Sequence, residues 1–506
     1  YKEGGTVLVL SAKLRFKAFQ FFQRSGLNDD ALQILSALLL GDREYLREEL
    51  KDAFANAGVT HIMAVSGLHV GIIYMILFYL LFFLDKIKYG KVLKSLIILI
   101  ILWFYAFIAG LSPSVVRAVI MFSFISIGQG MKRDVNIFNS LAVAAFLLLC
   151  INPFSLRDVG FQLSFLAVLG IVLLYPKIYP LFISRYWLID KAWMLISVSI
   201  AAQLVTFPLI LFYFRQFPNY FLISNLIAIP LVTIILYAGL FHLAFSFLPF
   251  LSTIFSLFLN GLVNVLVFTV EKISNLPHAI SEHIYVDTTG VLLLYLFILF
   301  FFGFIYIKRG WIINVSLGFV LLFLGWNLTG IIRANKQRKI TVLNVKGKSL
   351  IQFTHGRTAW IFYRSESEKD LENIKYATES YSHILRLNKQ IWINQADTGL
   401  SICEDRLFIK NGFFQFNDRT GCVLSKSSDY LEGYEFMNHL NILVISGDNK
   451  IYLKKYLKVL NPETVVIDSS VPVYFIKYLQ NVCDTSGISC NSVKETGAYN
   501  DNLENN

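Results

Sequence analysis

Charge is what this chain has least of. Only 16% of its 506 residues are Asp, Glu, Lys or Arg, against about 25% in an average soluble domain. Hydrophobic residues make up 56% and the mean hydropathy is +0.58, which excludes a disordered chain and an ordinary soluble enzyme. Cysteine is scarce. Cys150 falls in an apolar run and Cys403, Cys422, Cys483 and Cys490 are scattered through the tail. No two of them form a CxxC pair, so a zinc knuckle or thioredoxin-like redox motif is not expected. No GxxxxGK[ST] motif occurs, so no phosphate-cradling ATPase loop is encoded here. An initiating Met and a secretory leader are also missing: the chain starts at Tyr1, and it is expected to be a fragment whose natural N-terminus lies upstream.

What is present is a series of apolar blocks, each of about 20 residues, from residue 60 to 331, the pattern of a polytopic helical membrane protein. The expected spans are 60–84, 92–111, 115–130, 136–151, 159–183, 192–214, 220–246, 250–270, 290–307 and 311–331, about ten in all. Pro176 and Pro180 are expected to end or kink the fifth, and Pro208 and Pro230 to interrupt the sixth and seventh. Ahead of them, residues 28–59 read as two short amphipathic helices broken near Gly41-Asp42, with Leu32, Leu35, Leu38 and Leu39 as the apolar stripe and Asn28, Asp29 and Asp30 as starting caps. GTVLVL reads as the last strand of a missing domain, and KLRFKAFQFFQ as a basic, aromatic segment lying on a membrane surface.

The net charge of +11 suits a nucleic-acid partner, and equally suits the positive loops that orient membrane proteins. Lys86, Lys88, Lys91, Lys94, Lys132, Arg133, Arg185, Lys191, Lys308 and Arg309 fall in one set of connections. The opposite set holds Arg157, Arg215 and Lys272. The first set is expected to be cytoplasmic, and ten spans then put both tails outside. Residues 336–506 read as a soluble α/β domain. ITVLNV, SLIQFT and TAWIFYR are strands separated by the turns KGK and HGR. LNILVIS, KIYLKKYLKVL and TVVID read as strand–helix–strand with the two strands parallel. The expected domains are thus 1–27, 28–335 and 336–506.

Ionisable groups inside spans cost about 2.5–3.5 kcal/mol each on insertion scales, so their positions matter. HIMAVSGLHVG places His61, Ser66, Gly67 and His69 at the head of a span. In one continuous helix the two histidines would stand roughly 12 Å apart along the axis, too far to share a metal ion. Ser66-Gly67 therefore reads either as a helix break or as a place where another helix packs closely. Ser112-Pro113 reads as a helix start with Arg117 one turn inside: an interfacial, snorkelling cation or a cationic site for phosphate. Arg157 and Asp158 read as an interfacial pair or part of a polar path, and Gln162 and Ser164 as interhelical glue or path lining. Gln203, Pro208, Asn225 and Pro230 break an apolar background in the way that segments lining a conduit do. The 45 phenylalanines are ordinary lipid-facing packing, or rings on which bases stack.

Five stretches in order carry a resemblance to a known family: GDREYLREELKDAFANAGVTH, HIMAVSGLHVG, PSVVRA, NPFSLRDVGFQLSFLAVLGI and QLVTFPL followed by SNLIAIP. Together they resemble the ComEC-type competence proteins over about residues 30–340. The resemblance implies an inner-membrane channel that takes single-stranded DNA into the cell during natural transformation, acting with a periplasmic DNA receptor and a cytoplasmic helicase. It also implies an N-terminal OB-like domain, of which residues 1–27 would be the end plus an interfacial segment, and a metallo-β-lactamase-like tail. ITVLNVKGKSLIQF resembles that tail's opening strand pair, but has Val-Lys-Gly-Lys where Gly-Gln-Gly-Asp is usual. A dinuclear hydrolase of that fold needs a His-x-His-x-Asp-His run and further ligands, whereas only His355, His383 and His439 follow residue 335. SGDNK, residues 446–450, stands where a metal-ligating His would be expected. The tail is expected to be degenerate, with no metal, no cofactor and no nuclease chemistry.

The fold expected is therefore a polytopic α-helical membrane protein with a C-terminal soluble α/β domain. The function expected is passage of single-stranded DNA through the bacterial inner membrane, with His61, Ser66, Gly67, His69, Ser112, Pro113, Arg117, Arg157, Asp158, Gln162, Ser164, Gln203, Pro208, Asn225 and Pro230 lining or shaping the path. A secondary transporter of a small solute is the alternative, though no inverted repeat is visible. A membrane-tethered metallohydrolase is a third reading, opposed by the ligand count.

Overall fold

The structure is a computed structural model that describes residues 6–131, 135–245, 248–282, 284–364, 368–394, 402–404, 406–410, 412–425, 439–447 and 453–503. Its backbone forms two compact units, Tyr1–Val320 and Leu321–Asn506. The first is helical. α1 (Thr6–Arg24), α2 (Asp29–Leu35) and α3 (Glu48–Asn56) precede α4 (Gly67–Leu80), α5 (Gly90–Ile108), α6 (Pro113–Gly130), α7 (Ile137–Ile151), α8 (Val159–Ile178) and α9 (Trp187–Phe214). A two-residue strand β1 (Phe217–Pro218) leads to α10 (Phe221–Ala244) and α11 (Pro249–Ser274). A second short strand, β2 (Ile280–Ser281), pairs with β1 and leads to α12 (Thr288–Ile307) and α13 (Gly310–Lys336).

Eight of these helices, α5, α6 and α8 to α13, are long and apolar enough to cross a membrane. α4 and α7 are apolar but shorter, at 14 and 15 residues, which spans only about 21–22 Å at 1.5 Å per residue. The stretch 60–84 is thus not one span. Ser66 takes an extended conformation and caps α4, so the residues before it form turns and His61 sits exposed outside the helix.

The start of the chain differs from expectation. From Thr6 onward GTVLVL is helical, not a strand, and continues without a break through KLRFKAFQFFQ. Packing overrides the β-branched residues there. The Ser11 hydroxyl donates to the Phe107 carbonyl at 2.7 Å, and Phe22 is fully buried in the main core with Ile34, Leu35, Leu38 and Phe54. α1 therefore packs on the helical bundle through these residues. The two helices expected in 28–59 are present. Asn28 caps α2 by accepting from the Ala31 amide at 2.8 Å, a π-helical turn (Ser36–Leu40) extends it, and Gly41 ends it at φ 74°. Lys94, counted above with the loop charges, is buried within α5 and paired with Asp85 at 2.8 Å; Lys132 and Arg133 lie outside the described residues.

The second unit is a mixed-sheet domain. Its strands are β3 (Arg338–Val342), β4 (Leu350–His355), β5 (Thr358–Tyr363), β6 (Lys389–Asn394), β7 (Ile402–Glu404), β8 (Leu407–Lys410), β9 (Phe413–Phe416), β10 (Arg419–Leu424), β11 (Leu440–Ile445), β12 (Pro462–Ile467), β13 (Ser489–Ser492) and β14 (Tyr499–Asn502). Helices α14 (Glu368–Ile384), α15 (Leu453–Leu460), α16 (Val473–Ser486) and α17 (Val493–Thr496) connect them. One sheet runs β14-β3-β4-β5-β6 and the other β13-β12-β11-β10-β9-β8-β7.

Side-chain alternation sets the layers. Ile351, Phe353, Trp360 and Phe362 of the first sheet share a core with Phe414, Phe416, Ile442, Val444 and Val466 of the second. The opposite faces, Leu350, Ala359 and Ile361 on one and Leu443, Ile445, Val465 and Ile467 on the other, pack under α14 and under α15 with α16. The layers are helix, sheet, sheet, helix. The parallel pairing of β11 with β12 across α15 is as the sequence pattern requires.

Candidate functional site

One buried polar point inside the bundle is built on three helices. α6 carries two apolar stripes. Val115, Ala118 and Val119 pack with Val70, Ile73, Tyr74 and Leu77 of α4. Ile120 and Met121 pack with Ala144 of α7 and Phe161 of α8. Arg117 stands on the same face of α6 as Ile120 and Met121. Ser112 and Pro113 start α6 as expected, Pro113 standing at the first helical position, where its missing N–H costs nothing.

Arg117 is only 5% exposed. Its guanidinium carbon is 5.4 Å from the centre of the Phe165 ring on α8, and its Nε and Nη1 are buried without any hydrogen-bond partner. It is therefore not a snorkelling cation at the interface. Residue 67 stands beside it: a Cβ at Gly67 would lie 3.6 Å from Arg117 Nη2 and 3.7 Å from the Ala118 Cβ. The first turn of α4, the positive end of its dipole, is thus set against a buried cation.

That turn is fixed by a capping box. The Ser66 hydroxyl accepts from the Leu68 amide at 3.3 Å, and His69 Nδ1 accepts from the Ser66 amide at 3.2 Å. Nδ1 also lies 3.0 Å from Ser66 Oγ. With Nδ1 as acceptor, the network assigns the ring proton to Nε2, and Nε2 is buried with no partner. An acceptor-rich ligand is what such a set of buried donors lacks.

The other expected site residues divide. Ser164 donates to Ser114 at 3.4 Å, joining α8 to α6. Asp158 caps α8 through the Phe161 amide at 2.8 Å, while Arg157 is exposed beside it. Gln162 is engaged at both ends of its amide: it donates to the Leu156 carbonyl at 2.8 Å and accepts from Tyr213 of α9 at 3.0 Å. Asn225 donates to Ser199 at 3.3 Å, and its Oδ1 is buried without a partner. Gln203 is half-buried on α9. Pro208 and Pro230 lie inside α9 and α10. Tyr295 donates to the Val205 carbonyl at 3.3 Å, close to the backbone that Pro208 leaves short of a donor.

Buried polar groups that escaped the sequence reading include the ionisable side chains of His242 and Arg15. His242 on α10 is fully buried, with neither ring nitrogen partnered, against the rings of Phe21 and Phe22. Arg15 on α1 has a buried, unpartnered Nε and lies close to Gly110. For His242 the signal was available, since it is an ionisable residue in an apolar helix; Arg15 stands among other basic residues of α1.

In the C-terminal domain the three histidines stand apart. His355 closes β4 and contacts Arg406, which together with burial holds its pKa below the usual range. His383 pairs with Glu379 on α14 at 3.5 Å, and His439 approaches Glu463 at 3.5 Å. Among the described residues no three His, Cys, Asp or Glu side chains gather as metal ligands. Within SGDNK, Asp448, Asn449 and Lys450 lie outside the described residues. Ser446 approaches Ser470 at 3.3 Å beside the buried carboxyl of Asp468.

Fold and site together define a polytopic helical membrane protein with buried polar side chains in its bundle and a C-terminal mixed-sheet domain. Residues 38–310 match the family described as Competence protein, and residues 340–503 match the ComEC C-terminal domain. The chain belongs to the ComEC family of competence proteins. It is 33% identical to ComE operon protein 3 of Bacillus subtilis (strain 168) over 218 residues, 43% of this chain and 27% of that protein. It is 28% identical to Recombination protein 2 of Haemophilus influenzae (strain ATCC 51907 / DSM 11121 / KW20 / Rd) over 253 residues, 47% of this chain and 30% of the relative. An uncharacterized protein of Aquifex aeolicus (strain VF5) is 30% identical over 311 residues, 60% of this chain and 67% of its own length. The chain thus spans less than a third of the length of the two named relatives. No solved structure matches it.

Proposed function

We propose that this protein passes single-stranded DNA across the bacterial inner membrane during natural transformation, and that Arg117 is a phosphate contact on the path. The observation that carries the reading is the buried Arg117 guanidinium, unpartnered at Nε and Nη1, against the first turn of α4. A buried cation without a counter-charge is costly. A passing phosphate would complete it with charge-assisted hydrogen bonds. Membership of the competence family supports DNA as the polymer.

In this reading the eight long helices and the two short ones, α4 and α7, make ten crossings, with both tails outside. The helix–sheet–sheet–helix layering of the C-terminal domain supports its likeness to a metallo-β-lactamase fold, and the dispersed histidines support a domain without nuclease chemistry. A periplasmic DNA receptor and a cytoplasmic helicase would supply capture and drive.

The test is chromosomal transformation in a naturally competent host. The gene is deleted and restored as wild type or as Arg117→Ala, with membrane levels matched. Loss on deletion, rescue by wild type and no rescue by Arg117→Ala are expected. Unchanged transformation on deletion would point to the small-solute transporter instead.

A further inference from the structure

Cys483 and Cys490 meet at one end of the C-terminal domain. α16 ends with Gly487 in the left-handed conformation at φ 71°, where a residue without a Cβ is favoured. The Gly487 amide donates to the Asp484 carbonyl at 3.2 Å and the Ile488 amide to the Cys483 carbonyl at 3.1 Å. This double closure turns the chain back on itself, so that β13 begins beside the helix it has just left. Cys483 is fully buried in the core beneath α16, and Cys490, partly exposed, packs against the same core. The two thiols are hydrogen-bonded to each other, with six residues between them. Among the described residues β13 pairs with β12 alone and forms the edge of the seven-stranded sheet.

We infer that Cys483 and Cys490 form an intramolecular disulfide that staples the edge strand β13 to α16. Cys490 is the sulfur an oxidant reaches. A disulfide oxidant, such as a dithiol-oxidising protein or oxidised glutathione, exchanges with it to give a mixed disulfide and one free thiol. Cys483 then displaces the second oxidant thiol. The two cysteines give up two protons and two electrons, and the oxidant's S–S bond becomes two thiols. Cys422 is no competitor, because burial pushes its thiol up to about 12. An edge strand held covalently is protected from slipping out and pairing with other chains.

Where the bond forms in the cell rests on the outward tail proposed above, because disulfides persist in oxidising compartments and are rare in the cytosol. The pairing itself does not rest on it. The test uses the full chain in detergent, equilibrated with oxidised and reduced glutathione, alkylated and mapped by peptide mass spectrometry. A single linked peptide joining Cys483 to Cys490, lost in Cys490→Ser, is the expected result. Two free thiols at full oxidation, or glutathione retained on Cys490 alone, would overturn the inference. In cells, alkylation trapping is run beside an impermeant maleimide probe at a cysteine placed at exposed Thr485 in a cysteine-free chain. A labelled probe with a reduced native pair overturns the staple. An unlabelled probe with a pair that still oxidises in glutathione overturns only the outward tail.

Discussion

Arg117 and Gly67 are packed face to face: a Cβ at residue 67 would stand 3.6 Å from the guanidinium Nη2. That is ordinary van der Waals contact, so the site has room for one methyl and little more. Gly67→Ala should therefore reach the membrane at wild-type level and retain most of its transformation activity. Gly67→Val should reach the membrane and lose activity, because its branched side chain displaces the guanidinium. Equal activity in the two variants, at matched protein level, would mean that the packing has no bearing on function.

His69 holds two roles that substitution separates. Its Nδ1 closes the capping box, and its Nε2–H points to no acceptor. Glutamine is the usual partner at that position, so His69→Gln should keep the cap and the thermal midpoint in detergent. His69→Ala should lower stability by about 1 kcal/mol, the usual worth of a cap. Transformation should fall in His69→Ala and hold better in His69→Gln, whose amide N–H can stand in for the Nε2 donor. Full activity in His69→Ala, at matched membrane level, would reduce His69 to a cap.

Gln162 is bonded at both ends of its amide, to the Leu156 carbonyl and the Tyr213 hydroxyl. It is expected to act through architecture. Gln162→Leu should lose about 0.6–1.7 kcal/mol of stability, the range for interhelical hydrogen bonds in membranes. Its transformation per molecule of folded protein should be unchanged. Differential scanning fluorimetry together with activity normalised to membrane level checks both halves.

Much of this was legible in the sequence, for physical reasons. β4, β5, β11 and β12 read as near-continuous apolar runs because each sheet is covered on both faces, one by the partner sheet and one by helices. The start of α6 was readable from Ser112-Pro113 because proline is compatible with only a few helical positions. The helical state of α1 was not readable, because its stability comes from Phe22 and Ser11 contacts with residues distant in the chain. His61 and His69 looked alike in the sequence. Only the capping geometry separates an exposed turn residue from a buried one. The polar residues of α8 likewise look equivalent until their partners are known. Gln162 turns out to be bonded at both its amide nitrogen and oxygen, whereas Arg117, on the neighbouring α6, has Nε and Nη1 without a partner.

Asp468 gives a pH prediction for the C-terminal domain. Burial pushes its carboxyl above the usual range, and the Ser470 hydroxyl and amide, at 2.5 and 2.9 Å from Oδ1, offset this in part. A folded-state pKa raised above the unfolded one gives stability that is full below the unfolded value and lost as pH rises through the folded value. The domain should therefore open more readily as pH rises across that window, and Asp468→Asn should flatten the dependence. Hydrogen exchange of the β11 and β12 amides in the full chain, at stepped pH, reads the difference between the two proteins. Parallel pH curves would contradict the assignment.

The central claim is that DNA itself passes the Arg117 site. The most direct measurement is the entry of strand-labelled duplex into competent cells. Label is recovered from the cytosol after external nuclease treatment, in cells carrying equal membrane levels of wild type or Arg117→Ala. The account predicts labelled single strands in the cytosol of wild-type cells and a loss of at least tenfold with Arg117→Ala, a cost of about 1.4 kcal/mol or more. Equal single-strand entry in the two strains would contradict it.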